Sequence, residues 1–127
     1  MTVELHPGLL IAAADVRLTH EPLPAEQVVS GAPTSATLVL DDRDGREIGV
    51  WEMSPGVASD LEADEVFVVL SGRAHVEFTS VPHGELPAPI DIAAGSVVRL
   101  TAGMATTWTV HETCLLYTSD DADDLRV

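Results

Sequence analysis

Basic side chains are scarce in this sequence, and the few present are scattered singly along it. Six Lys and Arg residues stand against 21 Asp and Glu, which gives a formal net charge of −15 at pH 7. A protein that binds a nucleic-acid backbone neutralises phosphates with clustered cations, and a negative field repels anionic membrane surfaces. The composition therefore predicts neither a nucleic-acid partner nor a membrane partner, and its simplest consequence is solubility.

Long apolar runs and paired cysteines are also missing. No apolar stretch approaches the roughly 20 residues that a membrane-spanning helix requires, and no basic region precedes an apolar stretch as it does in a signal peptide. Cys114 is the single cysteine, which excludes an internal disulfide and fits a reducing compartment. We therefore expect a cytoplasmic protein. Cys114 lies in the apolar run Cys-Leu-Leu-Tyr, where a buried thiol is usually inert.

Helical periodicity is hard to find in the sequence. Short apolar runs recur instead, separated by Gly, Pro, Asp or Ser, and this is typical of an all-β sandwich or barrel. A length of 127 residues suits a single domain. The predicted strands are 36–41, 47–54, 65–71, 73–79, 96–100, 106–110 and 113–118. Turn chemistry predicts tight turns at 42–45, Asp-Arg-Asp-Gly, and at Ser71-Gly72.

Alternation assigns the faces of the strand that follows Gly72. Ala74, Val76 and Phe78 are apolar, whereas the residues between them are polar, so His75 is predicted to point to solvent. The preceding stretch, 66–70, is apolar on both faces and is therefore predicted to be a central strand. The other four histidines, in irregular segments or at a predicted turn, are expected at the surface: His6, His20, His83 and His111.

The domain organisation is read as one barrel with two flanking segments. Residues 1–30 form an N-terminal extension that is interrupted by prolines, and it is either an edge strand or a strand that packs on a dimer partner. Residues 31–119 form the barrel. Residues 120–127 form an acidic tail, which is expected to be a solvated end.

Two glycine-punctuated blocks resemble the cupin superfamily, and the resemblance runs through about residues 27–119. It is closest to the small cupins of the ureidoglycine aminohydrolase-like and ethanolamine-utilisation-like subgroup. The matching segments are Val29-Ser30-Gly31, Gly49-Val50-Trp51-Glu52, Pro55-Gly56, Asp64-Glu65-Val66-Phe67, Leu70-Ser71-Gly72, Gly95, Ala102-Gly103 and Trp108-Thr109-Val110. The resemblance implies a single cupin barrel (a double-stranded β-helix, or jelly roll) and pairing into a homodimer through edge strands. It is far less specific for a reaction, because one fold hosts many activities.

The resemblance also shows which metal ligands this chain lacks. In the family's first motif, Glu65 and Gly72 match, but Ala58 and Asp60, or Ser59 and Leu61, stand where two histidines are usual. The histidine of the second motif is replaced by Thr106. One carboxylate and one hydroxyl cannot replace three imidazoles, so we predict no bound transition metal and no cofactor.

A site for Mg²⁺ or Ca²⁺ made only of carboxylates is an alternative that the acidic loop leaves open. Its four acids would be Asp60, Glu62, Asp64 and Glu65. A solvated loop is the interpretation we favour for four acids within six residues of an acidic chain.

Glu65 is the candidate catalytic residue. If it faces the lumen, Phe67 faces it too by the two-residue period, and desolvation would raise the pKa of the carboxyl. The group could then act as a general acid or base, or hydrogen-bond an amine or hydroxyl of a ligand. Pairing with Arg99, or exposure at the barrel mouth, is the structural alternative.

The other candidate ligand-binding residues are Trp51, Phe67, Thr106 and Trp108. Trp108 shares its strand face with Thr106, and its indole offers a flat wall for a planar or cationic ligand. Both tryptophans could instead fill the core of the barrel.

Three functions are compatible with these residues. The leading hypothesis is a metal-free cupin that binds a small polar metabolite in its barrel. The second is an enzyme of the same fold that performs acid–base or aminohydrolase-like chemistry on a small nitrogen-containing or carboxylic substrate. The third is a non-catalytic dimerisation module, since exposed sheet edges need covering.

Overall fold

The structure, a computed structural model, describes residues 4–121 and is built almost entirely of β-strands. A single turn of 3₁₀ helix spans Ala13–Asp15. The strands are β1 (Glu21–Pro22), β2 (Val28–Ser30), β3 (Thr34–Arg43), β4 (Arg46–Met53), β5 (Gly56–Leu61), β6 (Glu65–Ser80), β7 (Ile90–Ala93), β8 (Val97–Leu100) and β9 (Ala105–Asp121). The all-β fold class is confirmed. None of the helical structure within residues 4–121 is long and apolar enough to cross a membrane.

Strand β9 organises the sheet, because it pairs antiparallel with β4, β5 and β6 along its length. The sheet order is β1-β3-β4-β9-β5-β2, and β6 also pairs with β7 and β8. The sheet curls on itself as a jelly-roll barrel. The central position predicted for 66–70 is correct, since β6 has partners on both sides there.

Two predicted breaks in the chain do not exist. The Ser71-Gly72 turn is wrong because β6 continues through it, and the turn at His111 is wrong because β9 runs on from Ala105 to Asp121. The register between β6 and β9 shifts around Ser71 and Arg73, which bends both strands there without ending them. A glycine in a strand therefore marks a bulge here rather than a hairpin.

The main core fills the inside of the roll. Ala74, Val76 and Phe78 are all buried in it, as the alternation predicts. His75, on the opposite face, is only partly exposed and binds Asp91 through Nδ1 at 2.7 Å. His20 is also partly exposed, and its ring bonds Thr34 and Glu52.

The N-terminal segment covers the outer face of the sheet of its own chain. A second apolar cluster joins Leu38, Leu40, Val50 and Leu115 to side chains from that segment: Leu5, Ile11, Ala13, Val16 and Leu18. Strand β2, also within 1–30, pairs with β5. At the other end β9 includes Asp120 and Asp121, the first two residues assigned to the acidic tail, and 122–127 lie outside the described residues.

Candidate functional site

A cavity of about 240 Å³ opens at the end of the roll where β4, β5, β6 and β9 meet. Acidic and aromatic side chains dominate its wall. The lining residues are Thr37, Val39, Glu47, Gly49, Trp51, Asp60, Leu61, Glu62, Ala63, Glu65, Trp108, Leu116, Thr118 and Asp120. Within the described part of the chain, residues 4–121, five carboxylic acids line the cavity and no Lys, Arg or His side chain does.

A second hollow of about 240 Å³ adjoins the first. It shares Trp51, Asp60 and Trp108 with the first cavity. The remaining lining residues are all apolar or uncharged: Leu23, Pro24, Gln27, Ser35, Met53, Ala58 and Ser59. The acidic cavity therefore has a less polar neighbour, and one aromatic pair faces both.

Pairing of β5 with β9 places the substituted ligand positions side by side. Asp60 lies opposite Thr106, and Ala58 lies opposite Trp108. Asp60 contributes to the walls of both hollows. The pKa of Asp60 is raised because its carboxylate is partly desolvated there, although the residue as a whole is exposed. A hydrogen bond from the Leu61 amide lowers the pKa and partly offsets this rise.

Glu62 lines the cavity, although the sequence analysis named it only as one of the four acids of the acidic loop. It is only 7% exposed, so the expectation that the four acids form a solvated loop is wrong for this residue. Its Oε2 accepts the Thr106 hydroxyl at 2.6 Å and the Trp108 indole N–H at 3.1 Å. Both donors lie on β9 and reach the same oxygen, so they hold the carboxyl group in place. The other oxygen, Oε1, takes no part in these two bonds.

Burial raises the pKa of Glu62 to about 7, and the negative charge of Asp60 adds to the rise. The hydrogen bonds from Thr106 and Trp108 favour the ionised carboxylate and therefore oppose this rise in pKa. The result is a buried acid whose charge changes near neutral pH. Such a group can accept or deliver a proton under physiological conditions.

Glu65 faces the lumen, as expected if it is a pocket residue. The pKa of Glu65 is raised to about 9, and burial is the largest cause. A hydrogen bond with Asp120 and the negative charges of Asp120, Glu62 and Asp60 also contribute to the rise. At neutral pH Glu65 is therefore protonated, and its carboxyl is hydrogen-bonded to Asp120. The alternative pairing with Arg99 does not occur, because the partner of the Glu65 carboxyl is Asp120.

Strand register explains why these acids meet. Asp120 on β9 is the cross-strand partner of Glu47 on β4 and of Glu65 on β6. Three acids thus lie in one row across three neighbouring strands. Like charges directly opposite each other destabilise a sheet. This row of acids therefore favours a state in which one of the carboxyl groups keeps its proton or a cation binds beside them.

Trp51 and Trp108 form the aromatic wall. Their ring centroids are 5.6 Å apart at an interplanar angle of 66°, an edge-to-face arrangement. Trp108 is buried in the main core, and Trp51 packs partly buried against that core. Because both also line the two hollows, the core and pocket interpretations both hold for each tryptophan.

The two other candidate ligand-binding residues do not line either of these hollows. Phe67 is fully buried behind Trp108, with ring centroids 5.7 Å apart. Thr106 is buried as well, and it contacts the site through its hydroxyl bond to Glu62. The structure therefore brings Trp51, Glu65 and Trp108 to the cavity wall, and it places Phe67 and Thr106 behind that wall.

The residues at the cavity do not fit the transition metal that the fold family suggests. Its wall offers carboxylates and indoles but no imidazole or thiolate. Asp64, one of the four acids of the alternative cation site, accepts the Ala102 amide at 2.7 Å. Over residues 4–121, no group of three or more His, Cys, Asp or Glu is arranged to hold a metal ion.

The single thiol lies elsewhere. Cys114 is buried in the core, and burial together with the charge of Glu112 raises its pKa to about 11. A thiol in this state is a poor nucleophile at neutral pH.

Comparison with known proteins agrees with the fold. Residues 40–115 match the family model described as the EutQ-like cupin domain. The EutQ protein of Clostridium difficile superposes with a TM-score of 0.65 at 16% identity, covering 90% of this chain and 87% of that one. A DUF861-family protein of unknown function from Pseudomonas syringae pv. tomato gives a TM-score of 0.66 at 20% identity, covering 83% of this chain and 44% of that one.

A third solved structure, a protein of unknown function from Rhizobium leguminosarum, is 22% identical with a TM-score of 0.56, over 68% of this chain and 79% of that one. No curated protein matches the sequence. At these identities the solved structures show the fold alone. The family match spans more than half of the chain, and the chain belongs to the EutQ-like cupin family.

Proposed function

We propose that this protein binds a small polar molecule in its barrel without a transition metal. The observation that carries the proposal is the 240 Å³ cavity, whose wall combines the tryptophan pair with five acids. Binding sites for small molecules are typically concave, with aromatic walls and a few convergent polar groups. The charge states of those acids supply both kinds of polar contact. The Glu62 carboxyl, with a pKa of about 7, can accept a hydrogen bond when ionised and donate one when protonated, and Glu65 carries a proton at neutral pH.

A binding screen read by tryptophan emission tests this proposal, because Trp51 and Trp108 both face the cavity. We expect a small polar metabolite to quench or shift the emission and to raise the melting temperature. Thr37→Phe places a ring at the exposed edge of the cavity and should abolish both responses. Val97→Phe, on an exposed position of β8 outside the cavity wall, is the matched control and should preserve them. Binding that survives Thr37→Phe would contradict this location.

Metal analysis of the purified protein tests the metal-free part of the proposal. We expect no near-stoichiometric transition metal, since the cavity wall contains no histidine. Mn, Fe, Ni or Zn at close to one per chain would overturn it.

Acid–base catalysis is the second candidate function, and the state of Glu62 favours it. A carboxyl with a pKa of about 7 on a cavity wall is suited to serve as a general base near neutral pH. Glu65, protonated at that pH, would be the corresponding acid. We expect turnover of a small nitrogen-containing or carboxylic substrate to fall at least about 100-fold in Glu62→Gln, the usual loss for such a group. Turnover that is unchanged by Glu62→Gln and by Glu65→Gln would exclude this function.

Homodimer formation is a separate proposal, supported by the edge of β3. Within the described part of the chain, β1 pairs with only Thr34 and Ser35 on that edge. The Leu5 amide adds one bond further along, to the Leu40 carbonyl. Open strand edges usually need covering. Sedimentation analysis should give twice the chain mass, and a monomer at micromolar concentration would contradict the proposal.

A further inference from the structure

The two hollows differ in polarity but share one aromatic wall. The first is surrounded by five acids and the second mainly by apolar and uncharged side chains. Trp51, Asp60 and Trp108 line both hollows, so a molecule that reached from one to the other would contact the tryptophan pair. The combined site therefore matches a ligand with a charged end and an apolar end.

The charge of the first hollow decides the sign of the ligand's charge. Its acids come from four of the five strands that line it and from one loop: Glu47 from β4, Asp60 from β5, Glu62 from the following loop, Glu65 from β6 and Asp120 from β9. Among residues 4–121, no basic side chain lines the hollow to balance them. An anion would be repelled from this hollow, whereas a cation would replace the missing basic partner.

Incomplete hydrogen bonding at two carboxyl groups points to a missing donor. Within the described residues, buried Asp120 Oδ1 has no conventional hydrogen-bond donor, and the Asp120 carboxyl is hydrogen-bonded instead to the protonated Glu65 carboxyl. Glu62 is more than nine-tenths buried and lines the cavity, yet its two donors both reach Oε2. Buried acceptors are normally satisfied, because an unsatisfied polar group costs free energy. A ligand that brings several N–H donors would supply what these oxygens lack.

An ammonium group fits these features better than a metal ion. It carries several donors, and the faces of tryptophan rings attract organic cations. Over residues 4–121, no three acids are arranged as metal ligands. The apolar side chains beyond the tryptophans, Leu23, Met53 and Ala58, would contact a hydrocarbon arm and not a bare ion.

We propose that the joined hollows bind an organic ammonium cation with a short apolar arm, and that a proton leaves the carboxyl cluster as the cation enters. The ammonium group lies among Glu62, Glu65 and Asp120, and the arm passes the tryptophan pair into the second hollow. The released proton goes to the solvent, so the charge of the site changes little. This proposal rests on the proposed function and specifies its ligand class.

The proton release follows from the crowding of the acids. In the free protein, Glu65 keeps its proton because of burial and the neighbouring negative charges. A bound cation favours the ionised carboxyls and so competes with that proton. Affinity for the cation should accordingly rise with pH up to about 9, where Glu65 loses its proton unaided.

Calorimetric titration with butylammonium, butanol and butanoate, three probes of equal arm length, tests the ligand class. We expect butylammonium to bind at least about tenfold more tightly than butanol, which corresponds to about 1.4 kcal/mol, and butanoate not to bind. Titration at pH 7 in phosphate and in Tris buffer should show proton release, because the two buffers differ in ionisation enthalpy. Glu62→Gln should weaken butylammonium binding about tenfold or more. Glu85→Gln, in an exposed loop, is the control and should change nothing.

The possible results separate this proposal from the proposed function. Equal binding of butanol and butylammonium, binding without proton release, or competition by Mg²⁺ at similar concentration would overturn the ammonium proposal. If polar metabolites bind at the tryptophans while butylammonium does not, the ligand class is wrong and the proposed function stands. If neither the metabolite panel nor butylammonium binds to the folded protein, both proposals fail.

Discussion

The indole N–H of Trp108 donates to Glu62 Oε2 at 3.1 Å, and this bond joins the most buried acid of the cavity to its aromatic wall. The two residues are 46 positions apart in the sequence. Because the indole touches the carboxyl directly, a change in the charge of Glu62 changes the surroundings of the fluorophore. Trp108 is therefore an internal reporter of the Glu62 ionisation.

The first prediction concerns that reporter. In a Trp51→Phe background, where Trp108 is the single tryptophan, emission should change with pH with a midpoint near 7, the pKa of Glu62. Glu62→Gln should remove the transition, because the amide does not ionise in this range. Glu85→Gln should leave it in place. A transition near pH 7 that persists in Glu62→Gln would show that another group is responsible.

The second prediction concerns Thr106, which stabilises the Glu62 carboxylate through its hydroxyl at 2.6 Å. Thr106→Val keeps the shape of the side chain but removes the donor. Since that bond lowers the pKa of Glu62, the midpoint of the Trp108 transition should move above 7. The free energy of unfolding should fall by about 1–2 kcal/mol.

Thr107→Val is the matched control for this change. Thr107 is the next residue on β9, points to the other face and takes no part in the bonds to Glu62. Its substitution should leave the midpoint unchanged. A midpoint that stays at 7 in Thr106→Val would show that the Thr106 hydroxyl does not affect the pKa of Glu62.

The third prediction is a pH dependence of stability that arises from Glu65. Its pKa rises from 4.5 to about 9 on folding, so between these values the folded protein holds a proton that the unfolded chain has lost. The free energy of unfolding should consequently decrease as pH rises from about 4.5 and level off near 9. Glu65→Gln removes this ionisation and should flatten the curve.

Thermal unfolding between pH 5 and pH 9 measures the effect. The melting temperature of the unmodified protein should fall by at least about 4 °C more than that of Glu65→Gln, the shift expected for roughly 1 kcal/mol in a domain of this size. Glu77→Gln, an exposed acid on the same strand, should keep the full pH dependence. Parallel curves for Glu65→Gln and the unmodified protein would refute a buried, protonated Glu65.

Local patterns in the sequence were enough to predict the fold class and the inner face of β6. The alternation of Ala74, Val76 and Phe78 identifies buried positions because neighbouring side chains of a strand point to opposite faces. The same period, continued from Ala58 through Asp60, places Glu62 on the inner side of the chain. That signal could have found Glu62, but its acidic neighbours favoured a solvated loop.

Contacts between distant residues were not predictable from the sequence. The burial of Glu62 depends on Thr106 and Trp108, 44 and 46 residues away. Asp120 belongs to a run of acids that is typical of a solvated tail, and only its register against Glu47 and Glu65 makes it part of the cavity. Strand register is decided by the whole sheet, so no short pattern contains it.

The last prediction concerns Gly72. The sequence around it is typical of a turn, but in the structure the chain bends there within β6. Gly72 has φ +92°, and a Cβ at this position would lie 2.1 Å from the Thr113 carbonyl oxygen and 2.7 Å from Cys114 Cα on β9. Backbone atoms of a central strand cannot move aside easily. Gly72→Ala should therefore lower the free energy of unfolding by more than about 3 kcal/mol, the sum of conformational strain and overpacking.

Gly95→Ala isolates the conformational part of that cost. Gly95 has the same φ of +92°, yet a Cβ there would meet no atom within 4 Å. Its substitution should cost only about 1 kcal/mol, which is the strain of a non-glycine residue in this region of backbone conformation. Chemical denaturation of both variants gives the difference directly. Equal losses would mean that β6 and β9 do not approach each other closely at Gly72, and that the chain turns there after all.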